Sequence, residues 1–301
     1  MVTGPDNLLL GPLSLDIYLA GDTAVAGGEI LPGGFILPGG GALNMAWHWR
    51  RLGLPFFLLS RIGRDHPDLF LRFLDHQAIA YAAGSIVGDG DSASIDIEIR
   101  PDRQPFMDHF VEGVWADFRL GADEENLVRA GRRLHVVLVE GAISELDRLG
   151  RAGALDGIAV SADFLGFRHY TIERLADTMA KVGVGFIGWP GAPDDPAVGG
   201  MREVAFDLRR LLVVTMGAQA IRVFDGRGAP SERTFPVTPV SVRGTTLGCG
   251  DAFIAGFLAE LWRTDDLDRA IPAGSARGAL ATSWPRPLPD DAYDSEIRTN
   301  C

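Results

Sequence analysis

The most informative stretch of this sequence reads Thr245-Thr246-Leu247-Gly248-Cys249-Gly250-Asp251. It follows a strand-like segment, Phe235–Val242, and it opens an apolar helix, Asp251–Trp262. Glycines just before a helix let successive backbone N–H groups point at one spot, and the helix dipole adds positive potential there. The pattern therefore indicates a phosphate or oxyanion site, with Asp251 at its edge as a general base. A glycine turn with Asp251 as a simple N-cap explains the same residues about equally well at this point.

The composition excludes several classes of protein. The 28 basic and 40 acidic side chains give a net charge of −12, and a surface of that sign repels nucleic acid and anionic lipid. We therefore expect no nucleic-acid partner and no membrane partner. No apolar run is long enough to span a membrane, and no basic segment precedes the apolar Leu8–Leu10 as it would in a signal peptide.

The cysteines and histidines carry no sign of a metal site. Cys249 and Cys301 are too far apart in the sequence to indicate a disulfide framework or a zinc site. None of the six histidines has metal-ligand spacing, so no residue is assigned to a metal. This cysteine usage favours a reducing compartment, and we expect a cytoplasmic protein.

Two familiar nucleotide motifs are excluded. Lys181 is the only lysine of the chain and lies in no Gly-Lys-Ser/Thr motif, so the P-loop lysine and the protein-kinase strand lysine are both missing. The segment Gly183–Gly188 matches G-x-G-x-x-G, but a helix precedes it and a strand runs through it, which is the reverse of the dinucleotide-binding order. An NAD-dependent oxidoreductase is therefore disfavoured.

The pattern of secondary structure changes at Arg133. Before it, Ser92–Arg100 alternates as a half-buried strand does, and Pro105–Val114 follows across the turn Asp102-Arg103. After it, strands alternate with helices, which predicts an α/β fold with a mostly parallel central sheet flanked by helices. The predicted core strands are His135–Val139, Gly157–Ala162, Val184–Ile187 and Leu211–Met216.

The early strands cannot belong to that core. We predict that approximately residues 16–38 and 92–116 form a small β-sheet lid on a single domain that spans residues 1–301. Apolar residues exposed on such an open-faced sheet make a homodimer through the lid a reasonable expectation.

A second glycine turn, Pro38–Gly41, leads into the predicted helix Ala42–Leu52. Gly39 and Gly40 would allow close approach of the backbone to a polar ligand, and Asn44 would supply a donor and an acceptor. Asp16, just after the first strand, could bind sugar hydroxyls. Taken alone, an ordinary loop and helix start explain these residues better.

These pieces, in this order, resemble the PfkB/ribokinase family of carbohydrate kinases over roughly residues 8–283. The segment Thr245–Asp251 looks like the family's D-T-x-G-A-G-D signature. Within the family, the closest resemblance is to fructoselysine 6-kinase-like members. The other segments that carry these resemblances are Ala252–Leu258, Gly39–Gly53, Arg61–Asp65, Val213–Gly217, Leu15–Tyr18, Glu112–Phe118 and Phe186–Pro193.

The resemblance implies a ribokinase-like fold and an ATP- and Mg²⁺-dependent sugar kinase. Asp251 would deprotonate the acceptor hydroxyl, and the N–H groups of Gly248, Cys249 and Gly250 would form the anion hole. The remaining implied roles are substrate binding by Asp16, Gly39, Gly40, Asn44 and Glu112, and nucleotide binding by Thr215 and Gly217. The acceptor would be a hydroxymethyl group of a sugar or of a fructosamine such as fructoselysine.

Four departures from the family pattern stand out. Thr245 occupies the position where the family usually has Asp, Cys249 replaces the usual Ala, and Ala220 stands where a glycine commonly follows. No clear N-x-x-E motif, which the family associates with Mg²⁺ and phosphate, is present; Pro193-Asp194-Asp195 is the nearest acidic stretch. Two alternatives therefore stay open: a kinase-fold protein that binds sugar without turnover, and a PfkB kinase for a ketose, pentose or nucleoside.

Overall fold

The computed structural model describes residues 5–19, 25–26, 29–30, 34–167, 170–293 and 299–300. The chain divides into two compact units. The first unit comprises residues 1–8 and 119–239, and the second comprises residues 9–118 and 240–301. Parts of the predicted lid, residues 20–24, 27–28 and 31–33, lie outside the described residues.

The elements alternate between strands and helices in the second half of the chain. The strands are β1 (Asn7–Leu10), β2 (Ser14–Tyr18), β3 (Val25–Ala26), β4 (Glu29–Ile30), β5 (Phe35–Gly39), β6 (Phe57–Leu59), β7 (Ala93–Ile99), β8 (Pro105–Val111), β9 (Arg133–Val137), β10 (Ala159–Asp163), β11 (Val184–Gly188), β12 (Leu211–Thr215), β13 (Ala220–Asp225), β14 (Ser231–Pro236) and β15 (Thr299–Asn300). The helices are α1 (Gly41–Arg51), α2 (Pro67–His76), α3 (Ala122–Ala130), α4 (Glu140–Arg151), α5 (Ile172–Met179), α6 (Pro196–Asp207), α7 (Cys249–Thr264) and α8 (Leu267–Ala281), with 3₁₀ turns at Gly113–Trp115 and Asp290–Ala292.

The first unit is built around a mostly parallel sheet. Its strands β9, β10, β11 and β12 lie side by side in that order and run parallel, each joined to the next by one of the helices α4, α5 and α6. Leu211–Val214 of β12 are all fully buried, as expected for a strand covered on both faces. The predicted alternation of strands and helices is confirmed, and so is the strand through Gly185, which rules out the dinucleotide interpretation of the G-x-G-x-x-G match.

Two antiparallel strands extend this sheet beyond β12, and one sequence expectation fails there. Strand β13 was not predicted, and the predicted strand Phe235–Val242 is wrong, because β14 ends at Pro236 and residues 237–242 are irregular. Proline has no backbone N–H to give to a ladder, and both Pro236 and Pro239 fall in the predicted strand. The chain therefore reaches the glycine loop through an irregular segment.

The second unit contains the small sheet that the early alternating strands predicted. The order is β15-β5-β2-β7-β8, in which β2 pairs antiparallel with β5 and parallel with β7, and β7 pairs antiparallel with β8. Within the same unit α7 and α8 pack closely: a Cβ added at Gly256 would lie 2.8 Å from the Ala273 oxygen. No helix among the described residues is long and apolar enough to cross a membrane.

Candidate active site

The glycine loop forms the N-terminus of α7. Gly248 is the N-cap residue in the left-handed region, with φ of 79°, and a Cβ placed there would lie 2.8 Å from the Pro287 Cα. Both the conformation and the close neighbour require glycine at this position. At Gly250 no atom lies within 4 Å of an added Cβ, so this side of the helix N-terminus is open. A free helix N-terminus with partial positive charge is a site for an anion.

Asp251 is the third residue of α7, and the structure joins it to α1. The Asn44 Nδ2 donates a hydrogen bond of 2.8 Å to the Asp251 Oδ2, across 207 positions of sequence. Asn44 is buried, and its Oδ1 has no hydrogen-bond partner. Asn44, predicted to bind substrate, thus orients the carboxylate of the predicted base.

Asp16 lies in β2, and its carboxylate packs against the backbone of Gly39. A Cβ at Gly39 would be 2.1 Å from the Asp16 Oδ2, so no larger residue fits without displacing the carboxylate. Gly40, the N-cap of α1, has φ of 96°, and its added Cβ would be 2.7 Å from the Pro12 oxygen. The structure therefore brings Asp16, Gly39, Gly40 and Asn44 into one continuous group that ends at Asp251.

The environment of Asp16 changes its acidity. Burial raises the pKa of Asp16 to about 7, although the Ser14 hydroxyl, which donates to the Asp16 Oδ1 at 2.9 Å, opposes this shift. A buried carboxylate with a single side-chain donor retains acceptor capacity for further hydroxyl groups. Ser14 had not been singled out in the sequence, because a serine two residues before an aspartate carries no distinctive pattern.

The prediction for Cys249 uses its backbone N–H rather than its thiol. Burial, together with the nearby Asp251 charge, raises the pKa of the Cys249 thiol to about 12, so the sulfur is protonated and poorly nucleophilic. Its N–H donates to the Thr246 oxygen at 3.2 Å. In this conformation the Cys249 amide is thus already engaged, which leaves the Gly250 end of the loop as the more accessible part of the predicted anion hole.

Thr245 is fully buried and makes three hydrogen bonds at the base of the loop. Its N–H donates to the Trp284 oxygen at 2.8 Å, its hydroxyl accepts from the Leu247 N–H at 3.2 Å, and the same hydroxyl donates to the Arg103 oxygen at 3.1 Å. Arg103 belongs to the turn between β7 and β8, which the sequence pattern marked as a turn but not as part of a site.

Glu112 directly follows β8 and is half-buried. Val111 pairs with Ser94 of β7, and β7 pairs with β2, the strand that carries Asp16. In the small sheet one strand, β7, separates β8 from β2, and Glu112 follows the last residue of β8.

The residues predicted to bind nucleotide lie in the first unit. Thr215 ends β12, and Gly217 is in the turn to β13, where Gln219 N–H donates to the Met216 oxygen at 3.0 Å. Gly217 has φ of 56° and no atom within 4 Å of an added Cβ. Ala220, which replaces a common family glycine, is the first residue of β13 and needs no special backbone conformation.

Asp163 ends β10, two strands from β12 and at the same carboxyl edge of the sheet. Burial raises its pKa to about 6, partly offset by the Leu165 N–H, which donates to its Oδ1 at 2.8 Å. Within the described part of the chain, no group of three His, Cys, Asp or Glu side chains is placed to hold a metal ion. No residue is therefore assigned as a Mg²⁺ ligand.

Comparison with known sequences points to one family. Residues 194–286 match the family model described as pfkB family carbohydrate kinase. Fructoselysine 6-kinase of Escherichia coli (strain K12) is 25% identical over 249 residues, which cover 81% of this chain and 88% of that protein.

Solved structures share the fold. Adenosine kinase from Schistosoma mansoni in complex with 2-fluoroadenosine has a TM-score of 0.76 at 14% identity, covering 96% of this chain and 98% of the other. Ribokinase from Arabidopsis thaliana complexed with ribose and ATP has a TM-score of 0.69 at 16% identity, covering 94% and 96%.

A mostly parallel sheet with helices, a small second sheet and a glycine loop that opens a helix define a ribokinase-like α/β fold. The chain thus matches the pfkB family of carbohydrate kinases over residues 194–286 and is similar to fructoselysine 6-kinase over 81% of its length. It is a sugar kinase, a transferase that phosphorylates an alcohol group.

Proposed function

We propose that the chain transfers the γ-phosphoryl group of ATP to a hydroxymethyl group of a sugar or fructosamine, with Asp251 as the general base. The observation that carries this proposal is the hydrogen bond from Asn44 to Asp251 at the open N-terminus of α7. The hydrogen bond from Asn44 orients the Asp251 carboxylate, and a carboxylate in this place can take the proton of the attacking hydroxyl.

The anion hole completes the chemistry. Phosphoryl transfer depends mainly on alignment and on stabilisation of charge on the moving group. Backbone N–H groups of Gly248, Cys249 and Gly250 are preorganised donors at a helix N-terminus, and removal of one such donor typically costs roughly 3 kcal/mol. Engagement of the Cys249 amide by Thr246 implies that this amide is shared or released when phosphate binds.

We propose Thr215 and Gly217 as nucleotide-binding residues, since an open glycine turn after a parallel strand admits a phosphate or ribose close to the backbone. Mg²⁺ would accompany ATP, held mostly by phosphate oxygens and water.

A fructosamine is the favoured acceptor. Asp16, buried against Gly39, suits sugar hydroxyls, and Glu112 offers a carboxylate for the protonated amine that distinguishes a fructosamine from a plain ketose. The 25% identity to fructoselysine 6-kinase supports the same choice.

Asp251→Asn tests the base. The amide oxygen of the new side chain can still accept from Asn44, so we expect sugar and ATP binding to persist while ADP production falls about 10²- to 10⁴-fold. A coupled assay of ADP release measures turnover, and calorimetry measures the binding of sugar and ATP separately. Asp207→Asn, at the end of α6, is the matched control and should behave as wild type. Turnover in Asp251→Asn close to that of wild type would refute the base assignment.

The acceptor is tested by a screen of ADP release over fructosamines, ketoses, pentoses and nucleosides. We expect the highest kcat/KM with a fructosamine, and a loss of this preference over ketoses in Glu112→Gln. A higher kcat/KM for a nucleoside or pentose would replace the fructosamine assignment. Thermal stabilisation by a sugar without any ADP release would instead establish the non-catalytic binding protein.

A further inference from the structure

The turn between β7 and β8 is docked onto the segment that leads into the glycine loop. The Arg103 oxygen accepts from the Thr245 hydroxyl at 3.1 Å and from the Thr246 N–H at 3.3 Å. The Gln104 Oε1 accepts from the Thr246 hydroxyl at 2.8 Å. The Arg103 guanidinium returns hydrogen bonds to the oxygens of Arg243 and Gly244, the latter at 3.4 Å. Backbone and side chains of both segments therefore take part.

The segment on which the turn is docked, residues 243–246, is itself anchored to the chain after α8. The N–H of Gly244 donates to the Thr282 oxygen at 2.9 Å, and the N–H of Thr245 donates to the Trp284 oxygen at 2.8 Å. A Cβ at Gly244 would lie 1.7 Å from the Trp284 oxygen, so the contact with the chain after α8 is close. The segment 243–246 thus has a defined position when the turn is docked on it, and two residues later, at Gly248, the chain enters the proposed anion hole.

The hydroxyl of Thr245 bonds both the β7–β8 turn and the glycine loop. It accepts from Leu247, inside the glycine loop, and donates to Arg103, in the turn. An ionised carboxylate has no proton to donate, so the Asp that usually stands here in the family could accept from Leu247 but would repel the Arg103 oxygen. The departure at position 245 therefore creates a bond that the usual residue cannot make.

We propose that Thr245 is a positioning residue that couples docking of the β7–β8 turn to the geometry of the anion hole. When the turn is docked, the Thr245 hydroxyl is oriented by Arg103 and holds the Leu247 N–H, which fixes the entry to Gly248. When the turn lifts, the hydroxyl loses one partner and the loop loses part of its support. This inference rests on the proposed kinase function.

The coupling has a chemical use. Transfer of the phosphoryl group to water instead of the acceptor wastes ATP. Closure of the small sheet over the acceptor would exclude that water. Strand β7 pairs with β2, which carries Asp16. The docked turn, the proposed substrate residue Asp16 and the glycine loop are therefore connected within one unit. Closure over the acceptor and assembly of the anion hole would then occur together.

Three variants at position 245 test the proposal. Thr245→Val keeps the shape and loses both bonds, Thr245→Asp keeps only the bond from Leu247, and Thr245→Ser keeps both. We expect Thr245→Val and Thr245→Asp to raise the acceptor KM about 5- to 10-fold, the size expected for loss of one hydrogen bond. The share of ADP released without acceptor should rise in both. Thr245→Ser should keep wild-type values. Thr234→Val, at an exposed position of β14, is the control and should also keep them.

Hydrogen exchange measures the docking without relying on activity. In Thr245→Val and Thr245→Asp we expect faster exchange confined to residues 100–104 and to the Thr246 and Leu247 amides. Gln104→Leu, which alters the exposed turn and leaves position 245 intact, should give a smaller change in the same amides. Wild-type exchange and an unchanged acceptor KM in both Val and Asp would overturn the coupling, as would faster exchange spread over the whole unit. If wild type releases no ADP with any acceptor, the kinase proposal fails, while the exchange data still decide whether Thr245 holds the turn.

Discussion

Asp16 shows at the scale of a single residue how a proposed binding role and stability oppose each other. Its carboxylate is buried against Gly39 and has one side-chain donor, Ser14, so desolvation prevails and the pKa rises to about 7. Such a group is favourable to the fold when protonated and unfavourable when ionised. At neutral pH the protein therefore keeps a carboxylate where a neutral amide would be better tolerated.

Asp16→Asn should stabilise the protein at alkaline pH. The raised pKa means that the stability associated with protonated Asp16 is complete below 3.8 and is lost as pH rises to about 7. The variant escapes this loss, so its melting temperature should exceed that of wild type at pH 8, by an amount corresponding to at most roughly 4 kcal/mol, and the gap should narrow as pH falls from 7 to 4. Differential scanning calorimetry across pH measures this. A gap independent of pH would show that Asp16 does not titrate in this range.

The residue scale also shows where sequence reading ends. The seven-residue signature identified the loop and singled out Asp251, because glycine placement before a helix is a local property. The partners of those residues were not visible: Asn44 is 207 positions from Asp251, and Arg103 is 142 positions from Thr245. At position 245, where the sequence departs from the signature, the threonine hydroxyl donates a hydrogen bond to the turn between β7 and β8.

At the scale of elements, α7 and α8 approach closely because small residues lie where they meet. An added Cβ would be 2.8 Å from the Ala273 oxygen at Gly256, and 2.8 Å from the Phe253 oxygen at Gly274. These neighbours are backbone atoms, which cannot rotate away. Since α7 begins at the predicted anion hole, the packing of α7 on α8 helps to set the position of residues 248–251.

Gly256→Ala and Gly199→Ala should change stability in opposite directions. Both positions are inside helices, where alanine is intrinsically favoured over glycine by about 1 kcal/mol. Gly199 has no atom within 4 Å of an added Cβ, so we expect Gly199→Ala to raise the free energy of unfolding. At Gly256 the clash with Ala273 prevails, and we expect a loss of about 1–3 kcal/mol. Urea denaturation followed by circular dichroism tests both; stabilisation by Gly256→Ala would show that the helices separate easily.

Periodicity predicted the elements well where burial was uniform. The strands β9 to β12 were found because a strand covered on both faces reads as an apolar run. Strand β13 was missed because it mixes buried Ile221 and Val223 with half-exposed residues, and it forms by pairing with both neighbours. Both partners are the adjacent strands in the sequence, so β13 is the middle strand of a local antiparallel meander.

At the scale of the whole molecule, the edge of the small sheet carries exposed apolar side chains. On β8, Phe106, Met107, Phe110 and Val111 are between 37% and 54% exposed, and β8 is an edge strand. An apolar edge strand is a surface for pairing with another chain. A second copy of this chain, paired through the small sheet, is the partner we expect.

The protein should be a dimer that a single charge disrupts. Light scattering after gel filtration should give about twice the chain mass of 32.3 kDa, and Phe110→Asp should return the protein to one chain. Leu280→Asp, at a similarly exposed position of α8, should leave the dimer intact. A wild-type mass equal to one chain at micromolar concentration would contradict the expectation.

The sequence alone determined the fold class and the family resemblance, because strand and helix periodicity and a glycine signature are local patterns that survive in one dimension. It also excluded the P-loop and the protein-kinase lysine, since Lys181, the only lysine in the sequence, lies in no Gly-Lys-Ser/Thr motif. Only the tertiary structure decided that Asn44 holds Asp251, that Asp16 is buried on Gly39, and that Thr245 joins the β7–β8 turn to the glycine loop. Each of these depends on side chains brought within hydrogen-bond distance by strand pairing and helix packing, and no spacing in the sequence encodes such a distance.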